Sequence, residues 1–201
     1  MQIYQITPKI IHLEFYDKIS MMKALLRFQE HYESPHFQGK VFTWGQYQDW
    51  YAQKFGAFTY FQDWSGFNFP GETLKLFIQG LFDPLLKEEQ EILDLFRYRT
   101  DKFYIIGTLI GEETTRLHEI CHGLYYCSPE YVNEVQEILI KYKDEVQSFK
   151  KSLINRGYAE NVLDDECNAY FIEGSESCSE ELHLALKDLF DKHLAKFDEQ
   201  A

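Results

Sequence analysis

The chain contains a pentad with histidine at both ends and glutamate in second place, His118-Glu119-Ile120-Cys121-His122. Residues four apart lie on the same face of an α-helix, so these two imidazoles can reach one metal ion only if the segment is helical. The glutamate then points to a neighbouring flank, where it can take a proton from a metal-bound water. The pentad therefore predicts a helix at this position and a metal site on one of its faces.

The residues around the pentad are typical of a strand followed by a helix. Residues 102–106 are aromatic and β-branched and end at Gly107, which predicts a strand. The apolar positions of the helix that follows are Leu117, Ile120, Cys121 and Leu124. Their i, i+3, i+4, i+7 spacing predicts one buried face, with His118 and His122 at its edge, where a partly buried metal would lie. The alternative interpretation is that the two histidines are unrelated core or surface residues.

A catalytic zinc ion takes three protein ligands and leaves one position open for water, so two histidines are not enough. After His122 the next histidine is His183, which argues against the metzincin spacing. A carboxylate from a later helix is the other common solution. Asn161 predicts the N-cap of such a helix, with Asp164 and Asp165 in its first turn.

This downstream helix carries a second pattern, Asp165-Glu166-x-x-Ala169-Tyr170. Together with the pentad, over roughly residues 102–173, it resembles the zincin metallopeptidases of the gluzincin type. The resemblance implies that His118, His122 and Glu166 bind Zn²⁺. It also implies that Glu119 is the general base. Both roles are expectations that follow from the family, not from the spacing alone.

The third ligand is the least determined member of this predicted site, because the family's Asn-Glu-x-x-x-Asp form is absent from the chain. Asp165 and then Glu173 are the alternatives to Glu166. Tyr170, one turn beyond Glu166, could donate a hydrogen bond to the oxyanion of a tetrahedral intermediate. The alternative is a core tyrosine whose hydroxyl is satisfied by the protein.

Hydrophobic periodicity and turn residues predict the remaining elements. The predicted strands are residues 3–6, 10–15 and 58–61. Residues 63–70 are predicted to form an aromatic loop whose rings belong mostly to the core, and the alternative is that residues 63–69 overhang the cleft. The predicted helices are residues 17–32, 44–55, about 70–79, 85–99, a long one at 129–154, and 180–197, with a loop at 173–179. The expected fold class is α+β and predominantly helical, with a small β-sheet packed against the pentad helix as in zincins.

Length and composition predict a single domain over residues 1–201, with an aromatic-rich part at about 1–100 and a metal-binding helical part at 101–201. Cys121 and Cys167 have no C-x-x-C partner, so small buried apolar roles are expected for them rather than metal ligation. Four cysteines without a paired framework, and a start without a basic and apolar run, predict reduced thiols, no signal peptide and a cytoplasmic location.

The function expected from the resemblance is a zinc-dependent metallopeptidase that hydrolyses peptide bonds in a peptide or protein substrate through a zinc-activated water. In this family the strand before the metal helix, here residues 103–106, can pair with an extended peptide. A net charge of −13 disfavours nucleic acid and anionic membranes as partners, and the oligomeric state stays open. The alternative is a non-enzymatic acidic interaction or regulatory protein with a structural or degenerate metal site.

Overall fold

The chain divides after Glu112 into an N-terminal unit (Met1–Glu112) and a C-terminal unit (Glu113–Ala201). A computed structural model describes residues 1–174 and 178–198, without the side chains of residues 197 and 198. The predicted class, α+β and predominantly helical, is confirmed, and the strands belong to the N-terminal unit. The predicted packing of the sheet against the pentad helix concerns both units together and stays a prediction. Among the described residues, no helix combines the length and the apolar content needed to cross a membrane.

The N-terminal unit, all of whose residues are described, contains four strands and five α-helices. The strands are β1 (Gln2–Thr7), β2 (Ile10–Phe15), β3 (Gly66–Pro70) and β4 (Tyr104–Leu109). The helices are α1 (Lys18–Glu33), α2 (Trp44–Phe55), the short α3 (Tyr60–Asp63) and α4 (Leu74–Ile78), and α5 (Lys87–Phe96).

The four strands form one sheet in the order β1-β2-β4-β3. Strand β2 runs parallel to β4, whereas β1 pairs antiparallel with β2 and β3 pairs antiparallel with β4. Strand β4 is therefore hydrogen-bonded on both sides. The strand before the pentad helix was predicted to pair with an extended peptide. This prediction is wrong, because β2 and β3 already occupy the two edges of β4.

The segment between α2 and α4 differs from the sequence prediction. The predicted strand at residues 58–61 is wrong, since helix α3 begins at Tyr60. The predicted aromatic loop contains strand β3, and every residue of Gly66–Pro70 is buried. Phe67 and Phe69 are 1% and 0% exposed, so they belong to the core as predicted, and the alternative that they overhang a cleft is wrong.

A buried ion pair joins α1 to α5 in the core of the N-terminal unit. The side chains of Arg27 and Glu89 are 1% and 0% exposed, and Arg27 Nε donates to Glu89 Oε1 at 2.6 Å. Arg27 also donates to the backbone carbonyl of Phe82 at 2.9 Å. Each buried charge therefore has a charged partner, which is the condition under which buried charges are tolerated.

The C-terminal unit contributes five helices over its described residues. They are α6 (Glu113–Cys127), α7 (Pro129–Lys141), α8 (Lys143–Arg156), α9 (Leu163–Glu173) and α10 (Glu180–Asp198). The predicted long helix at 129–154 is wrong, because the backbone at Tyr142 leaves helical geometry and separates α7 from α8. Of the predicted loop at 173–179, residue 173 is the last of α9, and residues 175–177 lie outside the described residues.

The start of α9 also differs from the prediction. Asn161 lies in a 3₁₀ turn, Glu160–Val162, that leads directly into α9. The N-cap residue is Val162, and no side chain caps this helix end. Asn161 is therefore not the cap, although Asp164 and Asp165 do lie in the first turn of α9 as predicted.

Candidate metal centre

The pentad lies in α6, as predicted, and α6 packs against α9 within the C-terminal unit. The side chains of His118 and His122 are 15% and 6% exposed, and their ring centroids are 4.8 Å apart. Gly123 on α6 and Ala169 on α9 are buried, so that small residues lie on both of the packed helices. The two imidazoles thus lie side by side and face α9.

The Nε2 atoms of both histidines face the carboxylate of Glu166. His118 Nε2 lies 3.8 Å from Glu166 Oε2, and His122 Nε2 lies 3.9 Å from Glu166 Oε1. Candidate ligand atoms of these three residues all lie within 4.8 Å of one another. The structure therefore brings together the three residues that the resemblance names as metal ligands.

The Nδ1 atoms of the same two rings contact two other carboxylates. His118 Nδ1 hydrogen-bonds to Glu173 Oε2 at 3.0 Å, and His122 Nδ1 lies 3.0 Å from Asp165 Oδ1. A metal-binding histidine commonly donates its outer N–H to a carboxylate, which fixes the tautomer and leaves the other nitrogen for the metal. Asp165 and Glu173, the alternative third ligands, thus lie at the outer nitrogens of the imidazoles. Glu173 makes a hydrogen bond there, whereas Asp165 Oδ1 has no hydrogen-bond partner among the described residues.

The spacing around Glu166 fits a metal ion. Distances of 3.8 and 3.9 Å are too long for hydrogen bonds between Glu166 and the two histidines. Among the described residues, buried Glu166 Oε2 has no hydrogen-bond partner. A tetrahedral zinc ion with bonds of about 2.1 Å separates its ligands by roughly 3.4 Å, about half an ångström less than the distances seen here. Small side-chain movements would close this gap.

The charges of the cluster favour a cation at the same place. Burial raises the pKa of Glu166, which the neighbouring His122 and His118 partly offset. Burial lowers the pKa of His122, but the carboxylates of Asp165, Glu166 and Glu119 outweigh it and hold that pKa well above 6.5. Three carboxylates thus act on one imidazole, and a divalent ion bound here would offset their negative charge.

Glu119, the predicted general base, is also buried in this region and is 6% exposed. Its negative charge raises the pKa values of both His122 and Glu166, so its carboxylate lies within electrostatic range of the cluster. A general base must act on a water within hydrogen-bond reach, so proximity to the cluster is a necessary condition for the predicted role.

Tyr170 lies next to His118, with ring centroids 4.8 Å apart in an edge-on arrangement. Its hydroxyl lies 3.0 Å from the hydroxyl of Tyr158, a residue that sequence reasoning missed. Tyr158 follows Gly157, whose φ of +100° ends α8 and turns the chain back toward α9. The sequence signal was the Gly157-Tyr158 pair at a helix end, but nothing in it indicated a partner on α9.

Cys121 on α6 and Cys167 on α9 are small buried residues, as predicted. Cys121 and Cys167 are both 0% exposed. Burial raises the pKa of Cys121 well above its ordinary value and raises that of Cys167 to about 12. Zinc binds thiolates, and thiols that hold their protons this strongly are poor ligands.

A second group of acidic residues and histidine, formed by Glu130, Glu134 and His193, has a different character. Glu134 accepts from Lys192 Nζ at 2.6 Å and contacts His193 Nε2 at 2.9 Å. Glu130 accepts from Lys196 Nζ at 3.1 Å. Lysine ammonium groups already supply the positive charge here, so this group is an ion-pair network between α7 and α10.

Of the residues named from the sequence, His118, His122 and Glu166 thus face one another, Glu119 lies close by, and Tyr170 contacts His118. The binding of metal by these residues stays a prediction. Comparisons of the chain with protein-family models, with curated proteins and with solved structures found no match.

Proposed function

We propose that the chain is a zinc-dependent metallopeptidase. The observation that carries this proposal is the double orientation of the pentad histidines, whose Nε2 atoms face Glu166 while their Nδ1 atoms contact Glu173 and Asp165. Two imidazoles and one carboxylate form a donor set that is common for catalytic zinc. His118, His122 and Glu166 would hold the ion and leave one position open.

The proposed chemistry divides between the ion and the chain. Zinc, when bound, lowers the pKa of a coordinated water and polarises a carbonyl oxygen. Glu119 accepts a proton from the attacking water as the water oxygen bonds to the carbonyl carbon of the substrate. Glu119 then passes this proton to the leaving nitrogen, so that a carboxylic acid and an amine result. Tyr170, whose ring contacts that of His118, would donate a hydrogen bond to the negatively charged oxygen.

A second candidate function rests on charge. Residues 113–201 contain 19 Asp and Glu against 9 Lys and Arg, whereas residues 1–112 contain 14 against 11. The formal charge of −13 is therefore concentrated in the C-terminal unit. A non-enzymatic protein that binds a basic partner, with a structural or degenerate metal site, would explain this surplus. Such a protein could bind zinc but would not cleave peptides.

The experiment that separates these functions compares Glu119→Gln with Glu113→Gln in the zinc-loaded protein. Glu113 is a matched control, because it lies on the same helix but is exposed and pairs with Arg116. Peptide-library cleavage followed by mass spectrometry should show activity in the wild type and in Glu113→Gln. Glu119→Gln should retain zinc and lose about 10²- to 10⁴-fold in kcat, the usual contribution of a general base.

Two results would contradict the proposal. Full activity in Glu119→Gln would show that this residue is not the base. Zinc binding without cleavage of any peptide by the wild type would favour the non-enzymatic interaction protein.

A further inference from the structure

The end of α8 forms one side of the candidate site. Arg156 is the last residue of this helix, Gly157 reverses the chain with a φ of +100°, and Tyr158 then reaches Tyr170 on α9. Tyr170 in turn contacts His118. We call Arg156, Tyr158 and Tyr170 the basic wall.

Arg156 is exposed and makes no ion pair or hydrogen bond with the described residues. Its guanidinium carbon lies over two aromatic rings instead, 5.9 Å from the centroid of Phe149 and 6.0 Å from that of Tyr170. Contacts of this kind with ring faces restrain a long side chain without neutralising its charge. The guanidinium therefore lies beside the Tyr170 ring, and its N–H donors make no hydrogen bond to the described residues.

The position of Arg156 is within reach of a substrate held at the site. Its guanidinium carbon is 6.0 Å from the Tyr170 ring, which is 4.8 Å from the His118 ring, so Arg156 and His118 are at most about 11 Å apart. An extended peptide advances about 3.3–3.6 Å per residue. A group one to three residues from the scissile bond could thus contact Arg156.

The hydroxyls of Tyr158 and Tyr170 add donors to the same side. They are 3.0 Å apart, so one O–H donates to the other oxygen and the second O–H has its proton free for another acceptor. Burial raises the pKa of Tyr158, so its hydroxyl keeps its proton at neutral pH. The basic wall therefore presents the N–H donors of Arg156, one free O–H and a positive charge.

We propose that the basic wall binds a carboxylate of the substrate, with Arg156 as its main contact. The proposal rests on the proposed function and names its substrate class, peptides with a carboxylate one to three residues from the bond that is cut. Arginine matches a carboxylate with two parallel N–H donors, and such charge-assisted pairs are stronger than neutral hydrogen bonds. The carboxylate belongs either to the peptide C-terminus or to an Asp or Glu side chain.

The surrounding charge makes Arg156 decisive for such a substrate. Carboxylates of Asp165, Glu166 and Glu173 lie at the histidines, and residues 113–201 carry a formal charge of −10. An anionic group approaching this unit is repelled unless a cation receives it. Removal of the arginine should therefore cost more for carboxylate-bearing substrates than for neutral ones.

Binding is tested first, by NMR, with probes that need not be cleaved. The probes are acetyl-trialanine with a free carboxylate, its C-terminal amide, and the amide of acetyl-Ala-Asp-Ala. The Nε–Hε signal of Arg156, assigned from its loss in Arg156→Lys, is followed in zinc-loaded and in metal-free protein. A shift with one or both carboxylate probes, absent with the neutral amide, supports the proposal and distinguishes main-chain from side-chain carboxylate. Equal shifts with all three probes, or none, overturn it.

Cleavage is tested in parallel, with pools of peptides that carry or lack such a carboxylate. Arg156→Gln should lower kcat/KM for the carboxylate-bearing peptides by at least about tenfold, and that for neutral peptides by no more than about threefold. Arg156→Lys should recover part of the loss. Lys151→Gln, an exposed cation on the same helix, is the control and should behave as wild type.

The two proposals fail in different ways. If the wild type cleaves neutral peptides and Arg156→Gln cleaves both pools as well as the wild type does, the metallopeptidase stands and the carboxylate preference is refuted. If no peptide is cleaved but Arg156 responds selectively to carboxylate probes, the carboxylate site stands and the peptidase is refuted.

Discussion

The carboxylates of Asp165 and Glu173 contact the outer nitrogens of the two pentad histidines, and we expect their removal to weaken zinc binding without removing a ligand. Asp165→Asn and Glu173→Gln preserve side-chain shape and eliminate the charge. An amide oxygen can still accept the imidazole N–H, so the histidines keep a partner. Carboxylates in this role are typically worth about 10- to 100-fold in metal affinity, which is about 1.4–2.7 kcal/mol.

The structure ranks the two variants within this range. Both contacts are 3.0 Å long, but the His122 side chain is 6% exposed and that of His118 is 15% exposed. The carboxylates of Asp165 and Glu173 are 26% and 30% exposed. Electrostatic interactions are screened less where water is excluded. Asp165→Asn should therefore lie nearer the 100-fold end and Glu173→Gln nearer the tenfold end.

The assay is a competition for zinc between the protein and a chromophoric chelator of known affinity. Asp164→Asn is the matched control, because Asp164 neighbours Asp165 but pairs with Lys150. It should bind zinc as the wild type does. Unchanged affinity in both Asp165→Asn and Glu173→Gln would refute the orienting role. Complete loss in Asp165→Asn, with zinc retained in Glu166→Gln, would show that the third ligand is Asp165.

Three further predictions concern stability and pH. Arg27→Met should destabilise the protein by about 3–5 kcal/mol in chemical denaturation, because it leaves the Glu89 carboxylate buried without its partner. Gly71→Ala should cost about 1–3 kcal/mol, because its Cβ would lie 2.2 Å from the Phe103 ring. Zinc affinity should fall as pH falls, because zinc must displace a proton from His122, whose pKa is raised well above 6.5.

The pH dependence has a definite sign in the metal-free protein as well. The raised pKa of His122 stabilises the folded state fully below 6.5, its ordinary value, and this stabilisation is lost as pH rises through the raised value. The Tm of metal-free protein should thus fall as pH rises above about 6.5. His122→Asn should lack this part of the decline, and an identical decline in both proteins would contradict the assignment.

The two stability predictions have their own controls. Replacing Arg27 and Glu89 together by apolar residues of similar volume should restore much of the loss, since no unpaired charge then remains. Gly45→Ala, in α2 with nothing within 4 Å of the added carbon, should not destabilise the protein. Equal stability of the Arg27 single and double variants, or of the two alanine variants, would count against the packing described.

Elements with strong local signals were predictable from the sequence. Thr43 and Gly56 predicted both ends of α2, where a capping box and a left-handed glycine are found. The pentad helix was predictable because the spacing of its apolar residues and the spacing of its two histidines both indicate a helix. The start of α9 was not, since a 3₁₀ turn absorbs Asn161 and leaves the helix without a side-chain cap.

Features that depend on contacts between residues far apart in the chain could not be predicted from the sequence. The segment around Phe67 is too rich in aromatics for an exposed loop, but only its pairing with β4 makes it a buried strand. The ring contact of Tyr170 with His118 and its hydroxyl contact with Tyr158 join three separate segments. Glu166 was named from a family pattern, whereas the roles of Asp165 and Glu173 behind the histidines required the geometry.

The most direct test of the proposed metal centre is the metal content of protein purified without added metal, measured by elemental analysis. The wild type should contain one zinc per chain. His118→Ala should contain almost none, because one of three ligands is gone. A folded wild type that holds no zinc and takes up none on titration would contradict the proposed site.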